Sequence, residues 1–233
     1  MTSAKVVPKH IGFTVDGNRR WAKSNRKGLS TATGHEEGLS VIRKVVQWTL
    51  DRGVEYVTFY VFSTENWSRT EDEVGYLMGM AKREMGKFAK EMHEKGVRLA
   101  VLGSRERVDP EIVKFIDEAE ALTAGNTNGT VGICFNYGGQ QEIVDAVRKL
   151  VADGVDMSEL TIEGLRANLY HPELPDLDMV VRTSGEERLS GFMLWRLNYA
   201  EIMFIEKNWP DITEADVENI LEEYTSRERR HGK

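Results

Sequence analysis

The chain has 233 residues, with 31 basic and 38 acidic side chains and a formal net charge of −7 at pH 7. That balance excludes a general nucleic-acid binder whose affinity rests on neutralising phosphates, so positive charge matters only where it is clustered. The single cysteine, Cys134, excludes an intramolecular disulfide and a cysteine-rich zinc site, and no apolar run reaches membrane-spanning length. Within His10 to Ala22, HIGFTVDGNRRWA, the strand formers Ile11, Phe13 and Val15 stop at Asp16-Gly17-Asn18 and give way to a basic, helix-competent segment. If Asn18 or Gly17 caps that helix, free N–H groups point back at the strand end, where a diphosphate is favoured. Arg19 and Arg20 add fixed positive charge, and Asp16 beside phosphate suits a Mg2+ ligand. The same residues also suit a plain turn with solvated arginines.

Ser24 to Thr33 reads as a polar loop, followed by Gly34-His35-Glu36-Glu37 and a helix over LSVIRKVVQWTL. The Gly28 to Gly34 stretch is not a P-loop, because His35 stands where lysine is needed and no Ser or Thr follows it. His35 is either a phosphate donor or a first-turn helix residue. After Gly53, Tyr56 to Phe62 is a continuous apolar strand of the kind buried on both faces of a parallel sheet. It ends in the polar cluster Ser63-Thr64-Glu65-Asn66-Trp67-Ser68-Arg69. A helix over Glu71 to Met92 follows, with the stripe Val74, Leu77, Met78, Ala81, Met85, Phe88 and Met92.

Val97 to Leu102 is a third strand and Pro110 to Leu122 a helix. Thr130 to Phe135 is a fourth strand that ends at Asn136-Tyr137-Gly138-Gly139 before a helix over Gln141 to Val151. Leu177 to Val181 is a fifth strand. Arg182, Arg188 and the Ser190 hydroxyl follow it as a phosphate-donor set, although Glu186 and Glu187 could instead pair with the arginines. Tyr199 to Ile205 is a sixth strand, in which Glu201 interrupts an apolar run and suggests a metal ligand or a buried partner. The last helix covers Glu214 to Tyr224, and the run from Arg227 to Lys233 reads as a solvated tail.

The alternation of strands and helices predicts an α/β fold: one domain over residues 1–233, with a roughly six-stranded, mostly parallel sheet flanked by helices. Ligands bind outside the carboxyl ends of such strands, where most of the polar clusters fall. The N-terminal MTSAKVVPKH lacks the apolar core of a signal peptide, and a cytoplasmic location is expected.

The chain resembles the cis-prenyltransferase family of the undecaprenyl diphosphate synthase type. The resemblance is carried by HIGFTVDGNRRWA, Gly34-His35, FYVFSTENWSR with Glu73, NYGG with Glu142, VVRTSGEERLSGFMLW, and YAEIMF with NWP, in family order through almost the whole chain. It implies a Mg2+-dependent condensation of isopentenyl diphosphate with an allylic prenyl diphosphate, and an apolar tunnel between helix and sheet that receives the product. By the same resemblance Asp16 is the Mg2+-linked aspartate, and Gly17, Asn18, Arg19, Arg20, Trp21 and His35 belong to the allylic diphosphate site. Ser63 and Asn66 support the reacting geometry beside Phe62, Trp67 and Arg69. Arg182, Arg188 and Ser190 hold isopentenyl diphosphate, with Glu201 at its metal. A homodimer is implied, in which Arg230-His231-Gly232 resembles a tail motif that reaches the site across the interface. Peripheral membrane contact would serve product release.

Departures from the family pattern bear on the substrate. Thr31 stands where an allylic-site arginine is usual, in a loop about two residues longer. Val61 stands where long-chain members tend to carry alanine at the tunnel wall, which predicts a short or medium product. Glu187 replaces a histidine, and DGNRR replaces the DGNGR of many bacterial members. A within-family alternative is irregular head-to-middle coupling of two allylic diphosphates. A non-catalytic partner subunit would be marked by loss of Asp16 or of the arginine pair, and both are present.

Overall fold

The computed structural model describes residues 6–24 and 29–227. Gly28 and the tail motif Arg230-His231-Gly232 lie outside the described residues. The strands are β1 (His10–Thr14), β2 (Tyr56–Ser63), β3 (Arg98–Leu102), β4 (Thr130–Tyr137), β5 (Met179–Arg182) and β6 (Glu201–Phe204). They form one parallel sheet in the order β3-β4-β2-β1-β5-β6, as the alternating pattern predicts. Between and after them run the helices α1 (Asn18–Ser24), α2 (Thr31–Leu50), α3 (Glu71–Glu94), α4 (Pro110–Thr123), α5 (Gly139–Ala152), α6 (Ile162–Arg166) and α7 (Glu214–Ser226).

The described residues group into two compact units. The first holds those up to Phe59, with Asp176–Leu189 and those from Leu197 onward; the second holds Tyr60–Pro175 and Ser190–Arg196.

In the first unit, Phe13 stacks on Phe59 at 5.6 Å, and Trp209 packs against both rings. All three are essentially fully buried, and a buried aromatic of this size contributes about 1.5–3 kcal/mol. The Trp209 indole N–H donates to the Gly38 carbonyl at 2.8 Å, so the NWP turn is tied to α2. Where a polar loop is expected up to Thr33, α2 instead begins at Thr31, because the Ser30 side chain caps it by accepting from the Thr33 N–H. Gly34 and Gly38 then face α1. A Cβ on Gly34 would lie 2.2 Å from the Asn18 carbonyl oxygen, and one on Gly38 would lie 2.4 Å from Asn18 Oδ1. The glycine before His35 thus serves close helix packing rather than a phosphate loop.

In the second unit, α3 and α4 pack on each other and on β3. The α3 stripe is buried at Leu77, Met85, Phe88 and Met92 but only half-buried at Val74, Met78 and Ala81. Strand β4 runs two residues beyond its expected end, through Asn136 and Tyr137, and α5 starts at Gly139. The Tyr137 hydroxyl donates to the fully buried Glu142 carboxylate, to which Arg196 Nη1 also donates at 2.8 Å. Burial, and then Glu142, push the Tyr137 hydroxyl well above its usual range, so it remains a donor.

His171 in this unit bridges Glu120 at 2.8 Å and Glu173 at 3.1 Å. Burial works against the charged imidazole, but the two carboxylates outweigh it and hold the His171 pKa above its ordinary 6.5. A raised folded-state pKa stabilises fully below the unfolded value, and that increment disappears as the pH rises through the folded value. Urea unfolding from pH 6 to 9 is expected to show the wild type losing this increment, while His171→Asn, a residue tolerated at the φ of +46° found there, loses less. Parallel pH profiles for the two proteins would refute the bridge.

Candidate active site

β1 ends at Thr14, and the chain turns at Asp16-Gly17 into α1. The Asp16 N–H donates to Thr183 Oγ1 at 3.0 Å, and the Asp16 carbonyl accepts from the Thr183 hydroxyl at 2.7 Å and from the Trp209 N–H at 2.9 Å. Parallel pairing of β1 with β5 sets Thr14 against Arg182 and so brings Thr183 to this turn. Gly17 has a φ of +100°, and a Cβ there would lie 2.4 Å from Asn208 Oδ1 and 2.7 Å from Ser184 Oγ. Only glycine fits this turn without displacing its neighbours. The Ser184 hydroxyl donates to Asn208 Oδ1 at 2.9 Å and closes the cradle.

The charges converge on the same turn. Asp16 Oδ1 accepts from the Gly17 N–H at 2.7 Å and Oδ2 from Arg182 Nη2 at 2.8 Å, with the Arg182 side chain only 6% exposed. Arg182 Nη1 also donates to the Arg188 carbonyl. Arg20 Nη1 donates to the Ser184 carbonyl at 2.9 Å and lies 3.0 Å from Glu186, and Arg20 Nη2 lies 3.5 Å from Asp16. Glu186 also pairs with Arg188. Arg19 is exposed at the start of α1, Trp21 donates its indole N–H to Asp211 at 2.8 Å, and His35 lies in the first turns of α2. Asn18 Oδ1 is buried and accepts no hydrogen bond among the described residues. The segment from Ser184 to Met193 carries positive φ at Ser184, Gly185, Ser190, Gly191 and Met193.

Glu201 is not brought to Asp16. It opens β6 in register with Met179, three residues before Arg182 and so about 10 Å back along the strands. Its carboxylate accepts from Arg227 Nη1 at 2.9 Å, which supplies the partner that a glutamate in an apolar run requires. Among the described residues no group of three or more His, Cys, Asp or Glu side chains could hold a metal. Asp16 alone, partly exposed and oriented by Gly17, fits a Mg2+ that takes one carboxylate and draws its other ligands from phosphates and water.

The second unit carries the other predicted residues. Asn66 Oδ1 accepts from the Ser63 N–H at 3.1 Å and closes the 3₁₀ turn over Thr64–Ser68. Trp67 meets Phe62 edge to face at 5.3 Å and donates its indole N–H to Asn136 Oδ1 at 2.7 Å. Asn136, at a φ of +49°, also donates to the Ser104 and Glu106 carbonyls at 2.8 Å each, so it fixes the indole to a neighbouring loop. Arg69 pairs with Glu73 at 2.8 Å. Ser190 is exposed, and its carbonyl accepts from the Tyr60 hydroxyl at 3.3 Å. Thr183, Asn208, Asn136 and Tyr60 are the supporting residues that sequence reasoning does not single out, although each lies inside a motif that carries the family resemblance: Thr183 in VVRTSGEERLSGFMLW, Asn208 in NWP, Asn136 in NYGG and Tyr60 in FYVFSTENWSR.

A family model described as "Putative undecaprenyl diphosphate synthase" matches residues 14–232. The chain belongs to this family of cis-prenyltransferases. The prenyltransferase is 43% identical over 227 residues to an isoprenyl transferase of Neisseria gonorrhoeae, covering 97% of this chain and 90% of that one. It is 40% identical over 232 residues to a trans,polycis-polyprenyl diphosphate synthase ((2Z,6E)-farnesyl diphosphate specific) of Thermobifida fusca, covering 98% and 82%. Its fold matches the crystal structure of lavandulyl diphosphate synthase from Lavandula x intermedia in complex with dimethylallyl diphosphate. That match has a TM-score of 0.92 at 28% identity and covers 99% of this chain and all of that one. The prenyltransferase is an enzyme of prenyl-group transfer, and no helix among its described residues is long and apolar enough to cross a membrane.

Proposed function

We propose that the enzyme condenses isopentenyl diphosphate with an allylic prenyl diphosphate, using Mg2+, to give a Z-prenyl diphosphate of short or medium length. The observation that carries this reading is the Asp16 carboxylate held between the Gly17 N–H and the buried Arg182, with Arg20 3.5 Å from it and Arg188 joined to Arg20 through Glu186. In the reaction the allylic C–O bond breaks, and the electron pair leaves on the diphosphate. The double bond of isopentenyl diphosphate captures the allylic carbon, and loss of one proton completes the product. Arg20 and the α1 turn receive the leaving diphosphate, whose growing charge guanidinium groups stabilise. Arg182 and Arg188 orient isopentenyl diphosphate, so that the two substrates react as one bound assembly. Mg2+, when bound, neutralises diphosphate charge, and Asp16 would hold it.

Exposed Ile202 and Phe204 on the edge strand β6, with exposed Tyr199 just before it, support a homodimer in which the apolar face is covered. One observation favours irregular coupling as the second reading. Thr31 begins α2 with no cationic side chain in the family's arginine place, and the match to lavandulyl diphosphate synthase is of the same overall fold.

Products from purified protein and Mg2+ decide between them, with dimethylallyl, geranyl or farnesyl diphosphate supplied with and without isopentenyl diphosphate. Z-linked products that require isopentenyl diphosphate are expected, and a branched product formed without it would establish the irregular reaction. Val61, half-buried between buried Tyr60 and Phe62, is placed at the tunnel wall by this reading. Val61→Ala is expected to lengthen the product, and an unchanged chain-length distribution would remove that role.

A further inference from the structure

The arginines assigned above to two different diphosphates share one carboxylate. Glu186 Oε1 lies 3.0 Å from Arg20 Nη1, while Oε2 pairs with Arg188 Nη1. The backbone that presents this side chain is pinned. The Ser184 N–H donates to the Lys207 carbonyl at 2.7 Å and the Gly185 N–H to the Ile205 carbonyl at 3.0 Å, at φ values of +77° and +69°. The chain is thus held up to Gly185, immediately before Glu186, and the Glu186 side chain reaches its two guanidinium partners from that anchored point. Those partners differ from Arg182: the Arg20 and Arg188 side chains are 48% and 59% exposed, whereas that of Arg182 is 6% exposed and bound to Asp16. Exposed ion pairs exchange at little cost, and a diphosphate offers each guanidinium more charge and more acceptors than one carboxylate does.

We propose that Glu186 is a resident anion that occupies Arg20 and Arg188 in the unliganded enzyme and is displaced when a diphosphate binds. The inference rests on the assignment of Arg20 and Arg188 to diphosphate. Glu186 here is a positioning residue that keeps two like charges together before substrate arrives. It also competes with product, because its return to Arg20 and Arg188 favours release of the diphosphate left by the reaction.

The test is titration of inorganic pyrophosphate, without metal and at fixed ionic strength, into wild type, Glu186→Gln and Arg20→Ala, each first shown to be folded by circular dichroism. Glutamine keeps the size and an acceptor but removes the charge. Glu186→Gln is expected to bind pyrophosphate about 3- to 10-fold more tightly, and to be inhibited by it more strongly in turnover. Arg20→Ala is expected to bind more weakly than wild type. Equal or weaker binding by Glu186→Gln, with Arg20→Ala impaired, overturns the resident-anion role and leaves the diphosphate assignment standing. No pyrophosphate binding by wild type, or none lost in Arg20→Ala, overturns the diphosphate assignment at Arg20 and the inference with it.

Discussion

Asp16→Ala is expected to lower turnover by two to three orders of magnitude, since losing one charge contact that acts in the transition state costs about 3–4 kcal/mol. The fold should survive. The turn is held by the backbone of Asp16, through Thr183 and the Trp209 N–H, and none of those bonds uses the carboxylate. What the carboxylate contributes is a negative charge, oriented by the Gly17 N–H and balanced by Arg182. Asp16→Asn separates two roles. It keeps the shape and an acceptor for Arg182 but removes the charge a metal needs, so it should be nearly as impaired as alanine if Asp16 holds Mg2+. Steady-state kinetics across a Mg2+ titration make the comparison. Near-normal turnover in the alanine variant would remove Asp16 from the mechanism, and full recovery in the asparagine variant would make it only a partner of Arg182.

Arg196→Met is expected to cost about 3–5 kcal/mol of stability, read as a lower urea midpoint, because removing one member of a buried ion pair leaves the other charge uncompensated. Arg196 is 1% exposed and Glu142 fully buried, and the guanidinium also donates to the Tyr170 carbonyl at 2.7 Å. The carboxylate accepts from the Tyr137 hydroxyl and from the Tyr170 N–H, so it cannot turn to water when the arginine is lost. Adding Glu142→Gln to Arg196→Met should recover part of the loss, since the orphaned charge goes with it. A single variant as stable as wild type, or a double variant worse than the sum of its parts, would contradict a charged pair.

The strands were legible where apolar runs are uninterrupted, as in YVTFYVF, because burial on both faces of a parallel sheet leaves no room for polar residues. The polar groups at strand ends were legible for the complementary reason. The start of α2 is not legible, because SNRKGLSTAT reads as polar coil unless Ser30 is recognised as a cap. The end of β4 is not legible either, because Asn136 carries turn chemistry, a left-handed φ, while still inside the strand. Glu201 shows a different limit. Its apolar neighbours signal a metal or a buried partner; in the structure Arg227 pairs with it, and nothing local to the strand says whether an arginine or a metal will supply the charge. The support that Thr183 and Asn208 give to the Asp16-Gly17 turn is not legible, for a topological reason, even though both lie in motifs that carry the family resemblance. They support a turn more than 160 residues earlier, and only the pairing of β1 with β5 brings Thr183 to it and that of β5 with β6 brings Asn208.

The left-handed residues scattered between Ser184 and Met193 have a consequence for anyone who would engineer the enzyme. Scanned for backbone strain alone, Ser184 and Ser190 look like defects, because glycine would relieve the backbone at each, whereas the fully buried Met193 could not be cut back to glycine without leaving a cavity. At Ser184 that exchange would delete the hydroxyl bonded to Asn208, and at Ser190 it would delete the hydroxyl that the family resemblance assigns to substrate. Backbone strain and side-chain contacts sit there on the same residues, so a thermostabilising design that treats the loop as spare capacity would relax the backbone only by giving up the hydroxyls it presents.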